Sequence, residues 1–192
     1  MQKPLYCLIG QSGSGKTTVA DIMCDKFEYT SVSSYTTRPQ RYDGEQGHIF
    51  ISDHEFDQLI DVVAYTKYNN YKYCTTKEQL DNANLYVVDI PGLRTLLQKY
   101  KRERKIVILY FDSTVSTRIE RMIDRGSSDT EIVSRLHTDE THSWWITLEE
   151  IEWNAQQLGM DVVLEMIDAD RDIESVVAQV SASIVMTGGD DE

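Results

Sequence analysis

The chain has 192 residues, 41% hydrophobic and 27% charged, a balance that suits one soluble domain with a sizeable core. Its 19 basic and 32 acidic residues leave a net charge of −13, which argues against the broad basic face of a nucleic-acid binder but allows a small polyanion held by a few converging arginines. No apolar run approaches the ~18 residues of a membrane span, and Met1 to Pro4 runs too soon into a strand to be a signal peptide. Cys7, Cys24 and Cys74 show no C-x-x-C spacing, so reduced thiols and a cytoplasmic location are expected.

The first predicted strand, Leu5 to Ile9, runs directly into Gly10-Gln11-Ser12-Gly13-Ser14-Gly15-Lys16-Thr17, and a helical pattern follows to about Phe27. This is a G-x-x-x-x-G-K-[ST] phosphate loop with the strand before it and the helix after it that the motif requires. Glycines at 10, 13 and 15 let the backbone turn with positive φ, so that successive amides point inward as an anion nest at a helix N-terminus. Lys16 then supplies a point charge to the β- and γ-phosphates, and the Thr17 hydroxyl is a Mg²⁺ ligand. A β-leaning stretch from Glu28 leads to Tyr35-Thr36-Thr37-Arg38-Pro39-Gln40-Arg41, where two arginines three apart stand among hydroxyls. Pro39 holds Arg38 extended, and such forks suit a phosphate monoester, although a solvated polar loop explains the same residues equally well.

A short strand is expected from His48 to Ile51, then a helix from about Asp53 to Ile60 opened by the capping box Ser52-x-x-Glu55. Val62 to Tyr68, Asn69-Asn70 and Tyr71 to Thr75 read as a hairpin, so the 48–75 segment is expected to be antiparallel. A short helix near Thr76 to Asn82 follows. Asn84 to Asp89 reads as a buried strand ending in an acid that faces Mg²⁺, directly or through a water; the alternative is a strand-end turn residue. Pro91-Gly92 starts a helix through Tyr100, and the basic run Lys99 to Lys105 is read as cations at a helix C-terminus.

Ile106 to Phe111 is an all-apolar strand, with Asp112-Ser113 expected to cap the next helix. That helix carries Arg118, Arg121 and Arg125 on one face. Gly126 to Asp129 breaks it, and Asp129 is expected to cap a further helix bearing Arg135 and running to about Gln157, with Trp144, Trp145, Leu148, Ile151 and Trp153 as its core stripe. Four arginines around a Gly/Ser hinge suggest a lid that brings positive charge over a transferring phosphoryl group, against the alternative of a salt-bridged surface. His137 and His142 are five apart and make no metal pair. Val162 to Ile167 is the last strand, Asp172 to Val185 the last helix, and 187–192 reads as a disordered acidic tail. The expected fold is an α/β parallel sheet of the phosphate-loop type with helices on both faces, carrying a small antiparallel insert and a helical lid.

Nearly all of the chain, from the phosphate loop to the last helix, resembles a guanylate kinase. The resemblance rests on Gly10 to Thr18, on Val32-Ser33-Ser34-Tyr35-Thr36-Thr37-Arg38-Pro39-x-Arg41 with Gly44-Glu45 and Gly47, on Tyr71-x-Tyr73-x-Thr75, and on Arg121-x-x-x-Arg125-Gly126 through Arg135-Leu136. It implies a single domain over 1–186, with its core at 1–33, 76–120 and 156–186, an insert at 34–75 binding the nucleoside monophosphate, and a lid at about 121–155. It further implies ATP bound by Gly13, Ser14, Gly15, Lys16, Thr17, Thr18 and Arg121, with Mg²⁺ at Thr17 and Asp89. Ser34, Arg38, Arg41 and Tyr73 would hold the acceptor phosphate, with His48 and Thr75 beside them, while Lys16, Arg125 and Arg135 stabilise the transferring group.

The chain departs from the family on the base side. His48-Ile49-Phe50 stands for Tyr-x-Phe, Ala64 for a guanine-reading Glu, Pro91 for the second Asp of Asp-x-Asp, Asp168 for an adenine-contacting Asn, and Cys74 for a Gly. Phosphate handling is kept and base reading is altered. The expected activity is ATP-dependent phosphorylation of GMP, dGMP or a related nucleoside monophosphate. The alternatives are a kinase of another phosphorylated small molecule, such as a ribose phosphate, and a non-catalytic phosphopeptide-binding module.

Overall fold

The computed structural model describes residues 3–40, 43–68, 70–100, 104–139 and 144–188. Strands β1 (Leu5–Gly10), β6 (Leu85–Val87), β7 (Ile106–Asp112) and β8 (Val162–Asp168) form a parallel sheet in the order β6-β1-β7-β8. β1 is buried at every position and β7 at all but its last, because both faces of the sheet are covered. Alternation assigns the faces. Leu5, Cys7, Ile9, Ile106 and Ile108 pack under α4 (Ile90–Lys99) and α7 (Trp144–Gln157). Tyr6, Leu8, Val107, Leu109 and Phe111 pack under α1 (Lys16–Phe27) and α8 (Ile173–Met186). Each fully buried Leu or Ile contributes about 1.5–3 kcal/mol of transfer free energy, so these two layers dominate the stability.

The insert consists of β2 (Ser34–Thr36), β3 (His48–Phe50), α2 (Asp53–Phe56), β4 (Val62–Tyr68) and β5 (Tyr71–Thr76), with its own sheet in the order β3-β2-β5-β4. The expectation of a wholly antiparallel insert is corrected here. β4 and β2 run antiparallel to β5, but β2 and β3 are parallel, in the register Ser34 to His48. Residues 37–47 are long enough to carry the chain back to the start of β2 before β3 begins, which a tight turn cannot do. The capping box at Ser52 and Glu55 is present, yet α2 ends at Phe56, well short of Ile60. An unforeseen second box, Thr76 with Gln79, opens α3 (Lys77–Asp81).

After β7 the helices are α5 (Val115–Asp124) and α6 (Asp129–Asp139), then α7. Their caps lie one or two residues from the expected ones. Thr114, not Asp112 or Ser113, accepts from the Thr117 amide, because β7 runs through Asp112. Ser128, not Asp129, pairs reciprocally with Glu131. The continuous helix expected to Gln157 is described as α6 and α7, and His142 lies outside the described residues between them. The expected tail also starts too early: Thr187 is buried and its hydroxyl donates to the Ser183 carbonyl, so it ends α8, while 189–192 lie outside the described residues.

The basic run after α4 is corrected at Arg104. Its guanidinium is buried and donates to the carbonyls of Lys3, Pro4, Leu80 and Ala83, at 2.6–3.1 Å, tying the entry of β1 to α3. Lys99 does sit in the last turn of α4, and 101–103 lie outside the described residues. All three cysteines are free, and burial pushes the Cys7 and Cys74 thiols up to about 12, which makes them inert. Among the described residues no helix is long and apolar enough to cross a membrane.

Candidate nucleotide site

The phosphate loop leaves β1 and turns into α1. Gly13 and Gly15 have φ of +83° and +93°, and Gly15 is the N-cap of α1. Gly13 is required twice over, since a Cβ there would stand 2.6 Å from the Arg118 carbonyl oxygen. Gly10 is required for space rather than handedness: a Cβ would lie 2.7 Å from the Phe111 carbonyl oxygen. Lys16 folds back over the loop, and its Nζ donates to the carbonyls of Gly10 (2.6 Å) and Gln11 (2.9 Å) and to Ser14 Oγ (3.1 Å). Burial lowers the Lys16 pKa to about 8, with the Asp139 carboxylate opposing that shift. Thr17 and Thr18 are exposed in the first turn of α1.

Two cavities flank this loop. One, of about 300 Å³, lies between it and the insert, and is lined by Lys16, Ser34, His48, Thr66, Tyr86 and Asp89 among others. The other, of about 420 Å³, lies between the insert hairpin and α6, and is lined by Arg38, Arg135, Tyr71 and Glu131 among others. Ser12, Tyr68 and Tyr73 line both. The phosphate loop, the insert and α6 thus border two neighbouring cavities that share three residues.

In the first cavity Ser34 Oγ and His48 Nδ1 lie 3.4 Å apart, and the His48 ring meets Tyr73 edge-on at 5.6 Å. Asp89 caps α4, accepting from the Gly92 amide at 2.8 Å, and also bonds Thr66; burial raises its pKa despite these contacts. Asp89 is a strand-end cap, as one of its two sequence readings has it, and it also lines the cavity that Lys16 lines. Thr75 does not reach this space. It is fully buried, and its hydroxyl donates to Tyr86, so it supports the cavity wall from behind. Ala64 is fully buried in the core rather than at the cavity surface. Thr66 and Tyr68, two and four residues further along β4, present the polar wall instead. Period-two alternation from Ala64 would have found both.

In the second cavity Arg38 is paired with Glu45 through two bonds of 2.8 and 3.1 Å, with its guanidinium 5.2 Å from the Phe50 centroid. Burial alone would lower its pKa; the Glu45 carboxylate outweighs this and raises it. Arg41 lies outside the described residues. Arg135 faces this cavity and has no side-chain hydrogen bond among the described residues. The helix-face grouping of arginines is only partly kept. Arg118 is 1% exposed and ion-paired with Asp139, so it belongs to the interior and not to a charged face over substrate. Arg121 donates to the carbonyls of Ser14, Ala169 and Arg171, which places it along the outer rim of the loop. Arg125 is exposed beside Ser127 and adds to the positive field at Lys16. Asp168 is paired with Arg171.

The donors suit a magnesium nucleotide. Mg²⁺ takes one or two protein oxygens and otherwise water and phosphate; of the two expected ligands Asp89 lines the cavity beside Lys16, while Thr17 is exposed on α1 and lines neither cavity. Among the described residues no cluster of three or more His, Cys, Asp or Glu side chains is placed to hold a metal. The contacts that sequence reading missed, Glu45 on Arg38 and Asp139 on the loop, join residues whose pairing carries no local signal.

No family model matches the chain. It is 25% identical to the guanylate kinase of Geobacter metallireducens, over 90% of this chain and 94% of that protein. It is 22% identical to the guanylate kinase of Fusobacterium nucleatum, over 90% and 95%, and 27% identical to that of Helicobacter pylori over 68% of each. Its fold matches the crystal structure of guanylate kinase from Anaplasma phagocytophilum with a TM-score of 0.55 and 13% identity, over all of this chain and 89% of that one. The chain is thus similar to guanylate kinases along nearly its whole length, and it shares the fold of one of them.

Proposed function

We propose that this protein transfers the γ-phosphoryl group of ATP to a nucleoside monophosphate, with GMP or dGMP as the acceptor its relatives indicate. One observation carries the reading: the cavity bearing Lys16 and the cavity bearing Arg38 and Arg135 share Ser12, Tyr68 and Tyr73, which supports a reaction in which donor and acceptor phosphates meet beside these three residues. Lys16, Arg125 and Arg135 neutralise charge on the transferring group, and Gly13 to Thr18 with Arg121 hold the donor. Ser34, Arg38, Arg41, His48 and Tyr73 hold the acceptor from the insert at 34–75. Thr17 and Asp89 hold Mg²⁺, which bridges phosphate oxygens and offsets their charge. Little covalent work is needed, because positioning and electrostatics carry phosphoryl transfer. The 121–155 segment acts as the lid, excluding water so that ATP is not hydrolysed. Three free thiols, two of them buried, fit a cytoplasmic enzyme.

The base side supports a second question about the same reaction. Ala64 is core and Pro91 has no carboxylate, so guanine hydrogen bonds fall to His48, Thr66, Tyr65 or Asp89. A coupled ADP-release assay with Mg²⁺ over ribo- and deoxyribonucleoside monophosphates tests both points. GMP or dGMP is expected to turn over best, and Lys16→Ala is expected to lose at least ~10³-fold in kcat with its fold intact. A parent that phosphorylates ribose phosphates but no nucleotide would point to the other small-molecule kinase, and one that phosphorylates nothing would point to a binding module.

A further inference from the structure

Behind the phosphate loop lies a buried ion pair that the reaction above does not use. Asp139, the last residue of α6, is 6% exposed, and its Oδ2 accepts from the Ser12 amide at 2.8 Å and from Arg118 Nη1 at 3.0 Å. The same Arg118 nitrogen lies 3.5 Å from the Ser12 carbonyl oxygen, and the Arg118 backbone is what Gly13 packs against. The Asp139 carbonyl accepts from Gln11 Nε2 at 3.4 Å and from Trp144 Nε1 at 3.0 Å. Asp139 is not among the residues lining either cavity, so it touches the loop from outside the nucleotide space.

Two physical points give this contact a role. A buried ion pair is weak evidence for stability, since an apolar pair of similar volume is commonly as stable. What an apolar pair cannot supply is the acceptor for the Ser12 amide. Arg135 also lies one turn before Asp139, on the same face of α6, and that face continues into the second cavity through Glu131. Docking Asp139 on Ser12 therefore fixes where Arg135 stands relative to Lys16.

We propose that Asp139, clamped by Arg118, is a positioning residue that locks the lid helix α6 to the phosphate loop and so sets Arg135 and Ser12 in register for phosphoryl transfer. This rests on the kinase reading. Its test uses the full chain and two variants. Arg118→Met/Asp139→Leu keeps the buried volume and removes the acceptor, while Asp139→Glu keeps the charge and displaces it by one methylene. Misplacement of about 1 Å costs up to ~10²-fold in rate, so each variant is expected to lose ~10–100-fold in kcat and to bind MgADP less tightly. The double variant loses no more Tm than one unpaired amide costs, and Asp139→Glu retains more activity than the double. Parent-like kcat and MgADP affinity in either folded variant would overturn the proposal, and a loss confined to Tm would do the same. If the parent binds MgADP but phosphorylates no monophosphate, the kinase reading fails, and the lock is decided by the affinity alone.

Discussion

Lys16 shows how one residue's surroundings set a working range. Its ammonium is desolvated within its own loop, and burial brings its pKa to about 8 from the ordinary 10.5. Below pH 8 the side chain is charged both folded and unfolded. Between about 8 and 10.5 the folded chain sheds its proton first, so Lys16 makes stability rise with pH across that window. Nucleotide binding runs the other way, because only the ammonium attracts phosphate. We expect kcat/KM for ATP, which reports the free enzyme, to fall as pH rises through about 8. In Lys16→Arg, whose side chain stays charged, that alkaline limb should vanish. A parent profile flat to pH 9.5 would show that Lys16 stays protonated and that burial is offset by more than Asp139. The loop itself was legible because its glycines, lysine and threonine are contiguous. The lysine's altered basicity was not, since Asp139, Arg118 and Arg125 reach it from more than a hundred residues away.

Among the elements, those defined by local chemistry were read from the sequence: β1 and β7 from unbroken apolar runs, α2 from its capping box, the β4–β5 hairpin from its flanking strands. Those defined by long-range contacts were misread. The β2–β3 pairing came out parallel because loop length, which no residue pattern states, decides the return direction. Arg118 looked like one of a surface row until Asp139 was found beneath it. Arg104 is the clearest case, since a run of lysines and arginines hides one that is fully engaged by four carbonyls from two chain segments. Arg104→Met should leave those acceptors buried without donors and cost about 3–5 kcal/mol. For a chain of 192 residues that lowers Tm by roughly 6–20 °C, readable by calorimetry. Arg104→Lys should lose nearly as much, because one ammonium cannot reach all four carbonyls. Lys105→Met, beside it in sequence, should shift Tm by no more than about 1 °C; equal losses at both positions would mean that charge, not the fork, matters.

At the scale of the whole molecule, a parallel sheet presents the loop, and the insert and α6 border the two cavities beside it. The insert brings Tyr68 and Tyr73, α6 brings Arg135, and Ser12 of the loop borders both cavities. If the two cavities work as one trough, a ligand spanning both gains from its linkage. An adenosine and a guanosine joined by five phosphates should therefore bind more tightly than either mononucleotide, since the second contact is made at high effective concentration. A ligand at 100-fold its Kd stabilises by about 2.7 kcal/mol. For this chain length that is a rise in Tm of roughly 5–11 °C, and the joined ligand should exceed ATP and GMP at the same concentration. Exchanging its guanosine for cytidine or thymidine then reads the base side with the phosphates held constant. A smaller rise with pyrimidines would show that His48, Thr66 and their neighbours read guanine without an acid at position 64. Equal rises would assign recognition to the phosphates alone. A joined ligand no better than ATP would mean that the two cavities do not work as one site, and the transfer geometry built on Ser12, Tyr68 and Tyr73 would fall with it.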